Sequence, residues 1–176
     1  MGRSPPQEGV SGMVLIITGP GASARNTLGR LLAEDLGWEF VDAEDLARRE
    51  SASLAHTGPA SLIETLTAAI NFWVYEWRDV VVSCPMLTGT DGRQLCRDTS
   101  LVQIVYLNMS YDAGWNTMLD KPEHSMNTGL VTSKHTGQCL PAKAITVDSS
   151  RGIEDIITQV ISALLLDRRS TYANTG

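Results

Sequence analysis

Met13-Val-Leu-Ile-Ile-Thr18, running into Gly19-Pro-Gly-Ala-Ser-Ala-Arg-Asn-Thr27, is the stretch whose reading decides the fold. A short β-branched run that stops at glycines reads as a buried strand entering a tight turn. Beyond it, Leu28, Leu31, Leu32 and Leu36 recur at the spacing of one helix face, so Thr27 to Leu36 is expected to be helical. The order is strand, Gly-rich turn, helix.

The same alternation continues along the chain. Trp38 to Val41 reads as a second strand, and Leu62, Leu66, Ile70, Trp73 and Trp77 form one stripe of a long helix. Val80 to Ser83 and Leu101 to Leu107 are nearly continuous apolar runs with a helix-length polar segment between them. Ala144 to Val147 is another short strand. The last helix carries Ile153, Ile156, Ile157, Val160, Ile161, Leu164 and Leu165 on one face, with Glu154 and Asp155 in a first turn where the helix dipole favours them. Five strands alternating with helices predict an α/β three-layer sandwich, a parallel sheet with helices on both faces and ligands beyond the carboxyl ends of the strands. That places the site near Gly19, Asp42 and Ser83.

One domain accounts for the 176 residues. Residues 1–12 and 168–176 are polar and without apolar period, and are expected to be flexible ends of a working domain at 13–167. Between about 111 and 141 the apolar content falls, and a small lid over the site is expected there. Hydrophobic residues at 43% and charged residues at 19% fit a globular chain and exclude a fibrous or disordered one. A net charge of -6 provides no broad cationic surface, so neither nucleic acid nor anionic membrane is an expected partner. Met13 to Ile17 falls far short of the roughly 20 apolar residues that span a bilayer, and no signal region precedes it, so a cytoplasmic protein is expected. Cys84, Cys96 and Cys139 are odd in number and lack a CxxC pair, which predicts reduced thiols and no metal site.

The turn after the first strand is comparable with the phosphate-loop pattern GxxxxGK[ST]. Gly19 fits its first position. Ala24 replaces the second glycine, and its Cβ narrows the space in which amides wrap a phosphate. Arg25 keeps the charge of the loop lysine with a planar fork in place of a compact ammonium. Asn26 replaces the hydroxyl residue that holds magnesium. Gly19, Gly21, Ser23, Arg25, Asn26 and Thr27 are the candidate ligand-binding residues of the turn.

Read onward from Thr27 through Trp38-Glu-Phe-Val-Asp-Ala-Glu-Asp-Leu46, the chain resembles the opening of the gluconokinase family, relatives of shikimate kinases. Val80-Val-Val-Ser-Cys84, Val105-Tyr-Leu107, His124-Ser-Met126 with Leu130 and Ser133, and Ala144-Ile-Thr-Val-Asp148 resemble later family blocks in order. The resemblance implies a P-loop kinase-like fold with nucleotide on the loop, substrate near the second and third strands, a lid, and a homodimer. It places Asp42 and Glu44 near the substrate hydroxyl, as a base or as a cap of the following helix, and His124 in the lid as an acid or base. Thr88, Lys121, Met126 and Ser133 fall at the family's ligand-facing positions. Two departures stand out. Thr88 and Gly89 occupy the place of a Lys and Arg that grip a sugar acid, and Gly58 to Leu66 carries no basic residue.

Because phosphoryl transfer depends on positioning and positive charge, these replacements lead to the expectation that the crevice performs acid/base chemistry on a small molecule: a cyclisation, isomerisation or elimination. Catalysis there rests on Asp42, Glu44 and His124 and requires no cofactor. The alternatives are an ATP- and magnesium-dependent small-molecule (sugar acid) kinase with Arg25 in the lysine position, and a noncatalytic pseudokinase that binds a metabolite or a protein.

Overall fold

The computed structural model describes residues 12–53, 61–85, 87–96, 101–108, 144–149 and 151–173. Five strands, β1 (Val14–Thr18), β2 (Glu39–Asp42), β3 (Val80–Ser83), β4 (Val102–Asn108) and β5 (Ile145–Asp148), form one sheet in the order β2-β3-β1-β4-β5. Every pairing is parallel. Five described helices accompany it: α1 (Ala22–Leu36), α2 (Ala43–Ser53), α3 (Leu62–Tyr75), α4 (Gly89–Leu95) and α5 (Ile153–Ala173).

A parallel sheet must be covered on both faces, and alternate residues of each strand point to opposite sides. Leu15, Ile17, Val81, Val105 and Val147 face Leu28 and Leu32 of α1 and Ile156, Val160 and Leu164 of α5. Val14, Ile16, Val80, Val82 and Ile104 face Leu66, Ile70 and Trp73 of α3 and Leu95 of α4. The three-layer sandwich expected from the alternation is the observed architecture. β1 is the central strand, with β3 on one side and β4 on the other. Its carboxyl end is therefore where the chain's winding reverses and where a crevice opens.

Besides shifts of one residue in the bounds of β2, β4 and β5, four details differ from the sequence reading. α1 begins at Ala22, not Thr27, so only Gly19, Pro20 and Gly21 remain as turn. Ala22 and Ala24 are strong helix formers, and no glycine at 24 interrupts them. α3 ends at Tyr75, and Trp77 leaves the apolar stripe, 52% exposed with φ 58, as the chain turns back into β3. Ile153, expected on the buried face of the last helix, is exposed at its first position. α5 runs to Ala173, so residues 168–173 of the expected tail continue the helix. The expected lid at 111–141 lies outside the described residues.

Candidate functional site

The site grows from the end of β1. Gly19 has φ +136, and a Cβ there would lie 2.3 Å from the carbonyl oxygen of Leu107 on β4, so only glycine lets the chain leave the sheet so close to its neighbour. Gly21, with φ 78, is the N-cap of α1 and offers no side chain to its first turn. No acidic residue stands in that turn either. The other described helices differ. Ser61 with Glu64 and Thr88 with Asp91 form capping boxes on α3 and α4, Asp42 caps α2, and Glu154 and Asp155 open α5. Among the described helices, α1 alone presents an N-terminus with neither cap nor acid, which leaves orphan amides and the positive end of the dipole open to an anion.

Arg25 turns inward from the first turns of α1. It is 6% exposed, and its guanidinium donates to the Gly19 carbonyl at 2.5 Å. Its Nε has no hydrogen-bond partner among the described residues, and no described carboxylate pairs with it. Burial lowers its pKa from the ordinary value, with Glu44 and then Cys84 and Asp42 opposing. Arginine nevertheless stays charged at any working pH. A buried cation with no ion pair among the described residues, influenced by Glu44 and Asp42 from a distance, therefore sits beside an uncapped helix terminus, an arrangement suited to an anion.

Asn26, one residue on, donates from Nδ2 to Asp42 Oδ2 at 2.8 Å. The other oxygen of Asp42 accepts from the amides of Glu44 at 2.9 Å and Asp45 at 3.5 Å. Of the two roles read for Asp42, the helix cap is thus the one its contacts describe. Glu44 is exposed in the first turn of α2, and its carboxylate has no hydrogen-bond partner among the described residues. Ser23 and Thr27 are exposed on α1. Thr88 is exposed too, and its hydroxyl bonds Asp91 as the cap of α4. Cys84 is fully buried, and burial pushes its thiol up to about 12, with Arg25 opposing and Glu44, Asp91 and Asp42 adding. It is no nucleophile. Lys121, His124, Met126 and Ser133 lie outside the described residues.

Sequence reasoning missed Thr18. Its hydroxyl donates to Pro85 O at 2.9 Å and accepts from the amide of Leu87 at 3.2 Å, which fastens the β3–α4 connection to the strand that feeds the turn. The available signal was a hydroxyl closing an otherwise apolar, fully buried strand. A separate cavity of about 480 Å³ opens between α2 and α3, walled by Leu46, Ala68, Ala69, Phe72 and Trp73, and touches none of the candidate residues. Among the described residues no helix is long and apolar enough to cross a membrane, and no three His, Cys, Asp or Glu side chains are grouped to hold a metal.

No protein-family model matches the chain. It is 25% identical over 178 residues to a mouse (Mus musculus) protein named "Probable gluconokinase", covering 86% of this chain and 97% of that one. Among solved structures, a gluconokinase from Sinorhizobium meliloti 1021 superposes with a TM-score of 0.70 at 19% identity, covering 95% of this chain and 99% of that one. A shikimate kinase from Aquifex aeolicus superposes with a TM-score of 0.58 at 19% identity, covering 93% and 100%. The chain is thus similar in sequence to a protein named as a gluconokinase, and it has the P-loop kinase fold that the gluconokinase and shikimate kinase structures share.

Proposed function

We propose that the chain is a small-molecule kinase of the gluconokinase and shikimate kinase type, with ATP as phosphoryl donor and Arg25 in the place of the loop lysine. The observation that carries this reading is the buried Arg25 guanidinium, unpaired among the described residues, beside the uncapped start of α1. A site of that composition is incomplete until an anion fills it. The relatives named above are small-molecule kinases by name, and they support the same reading. ATP supplies a terminal phosphoryl group for transfer to a hydroxyl. The chain supplies the amides of the first turn of α1, the fixed charge of Arg25, and Glu44 as the carboxylate open to a hydroxyl proton. The acid/base reading that the sequence favoured has less support, because Asp42 is engaged with Asn26 and the amides of α2.

Thermal unfolding with and without excess magnesium-ATP tests the proposal. Ligand at about a hundred times its dissociation constant stabilises by about 2.7 kcal/mol, which for a chain of this size raises Tm by roughly 5 to 11 °C. Arg25→Ala is expected to lose most of that shift. Absence of any shift at millimolar ATP overturns the reading. A second reading, binding of a nucleotide or phosphorylated metabolite without transfer, draws on the turn shortened to Gly19–Gly21. It predicts the same stabilisation and no phosphorylated product from a panel of hydroxylated acids and polyols.

A further inference from the structure

Phosphoryl-transfer enzymes of this fold employ magnesium, and in the loop pattern a Ser or Thr hydroxyl holds it. The residues at that place in this chain are a poor match to the ion. Magnesium requires near-octahedral oxygen ligands at about 2.0–2.1 Å and gives up water reluctantly, so it favours anionic oxygens that are free to meet it. Asn26 offers no hydroxyl, and the group it turns toward Asp42 is an N–H donor, Nδ2 at 2.8 Å from Oδ2. The other oxygen of Asp42 faces the amide of Glu44 at 2.9 Å. Each oxygen of the strand-end carboxylate is thus met by an N–H group. An ion entering between Asn26 and Asp42 would have to break the carboxamide bridge and face its donor end. The positive charge of the site comes instead from Arg25, a permanent cation held in place by the Gly19 carbonyl.

We infer that Asn26 sets the metal requirement of this site: the Asn26–Asp42 pair contributes no ligand to magnesium, and Arg25 with the first turn of α1 takes the metal-free polyphosphate of a nucleotide at least as well as its magnesium complex. The inference rests on the kinase reading above and concerns the ionic form of the nucleotide it accepts. Magnesium reduces the charge of ATP, so among the described residues a guanidinium and a helix terminus gain more from the bare polyphosphate.

Isothermal titration of the full chain with ATP, once in excess magnesium and once in excess EDTA, tests it. The expected affinity in EDTA is equal to that in magnesium or higher, within about threefold at the lower limit. A greater loss of affinity in EDTA overturns this inference and leaves the kinase reading standing. Absence of binding in both media overturns the kinase reading itself. Asn26→Ser removes the carboxamide bridge, frees Asp42 and restores a hydroxyl, and is expected to shift the preference toward magnesium-ATP by more than about threefold. An Asn26→Ser protein that folds, as judged by its unfolding transition, and titrates like the wild type in both media shows that Asn26 does not set the requirement, and overturns the inference.

Discussion

Replacing Asp42 in two ways separates what its shape does from what its charge does. The carboxylate caps α2 through the amides of Glu44 and Asp45 and accepts the Asn26 bond from α1. Removing an N-cap costs about 1 kcal/mol, and removing a hydrogen bond of this kind costs about 1 kcal/mol more. Asp42→Ala is therefore expected to destabilise by about 2 kcal/mol, a Tm lower by roughly 4–8 °C for a chain of this length. Asp42→Asn keeps an oxygen for the Glu44 amide, and asparagine is as good an N-cap as aspartate. Its cost should stay below about 1 kcal/mol, provided Asn26 turns its amide to present the oxygen. Urea denaturation followed by far-UV circular dichroism measures both variants on one scale. If the asparagine variant is as unstable as the alanine variant, or if both lie within about 0.5 kcal/mol of wild type, the capping argument fails. Because Asp42→Asn is expected to retain the fold, it is also the variant in which any catalytic use of the charge can be assayed without the confusion of unfolding.

Two further outcomes follow from other parts of the structure. Gly19→Ala must place a Cβ against the Leu107 carbonyl oxygen at a φ of +136, and should cost at least about 2 kcal/mol in urea denaturation; a variant within about 0.5 kcal/mol of wild type would mean that β1 and β4 part without resistance. Cys84 is neutral when folded, its thiol raised from 9.0 to about 12, so the stability it contributes is intact below pH 9 and declines as pH rises toward 12. The decline attributable to this group approaches about 1.4 kcal/mol per pH unit; Cys84→Ala should flatten the urea midpoint between pH 9 and 11, and an unchanged slope would assign the loss to other groups.

The architecture was legible because the strands are buried on both faces and so read as unbroken apolar runs, Val80–Ser83 most clearly. Boundaries shifted where one residue could serve either neighbour. Trp77 stands four residues after Trp73, at helical spacing, yet the Arg78 amide bonds back to Trp73 O and the chain turns at Trp77 into β3. At the turn after β1, comparison with a phosphate loop drew attention to Ala24, Arg25 and Asn26 one by one. Their actual partners, Gly19 O for Arg25 and Asp42 for Asn26, depend on how α1 is rotated against the sheet, and residue spacing does not encode that. Thr88 illustrates the opposite case. Its place after β3 marked it as ligand-facing by resemblance, while the Thr-x-x-Asp pattern with Asp91, a signature readable in the sequence itself, already described the helix cap it forms.

Thr18 has a mechanical consequence for the crevice. A single hydroxyl joins the last residue of the central strand to the chain entering α4, since it gives its proton to Pro85 O and receives the Leu87 amide. The Cys84 amide adds a bond to Ile17 O one residue earlier. The floor under the turn and the wall beyond β3 are in this way riveted into one plate, and a hinge between them would have to shear all three bonds at once. On the far side of β3, β2 is an edge strand paired to β3 alone, and α2 departs from it. Asp42, the last residue of that strand, bonds both Asn26 of α1 and the amide of Glu44, so one side chain ties the α2 side to the turn.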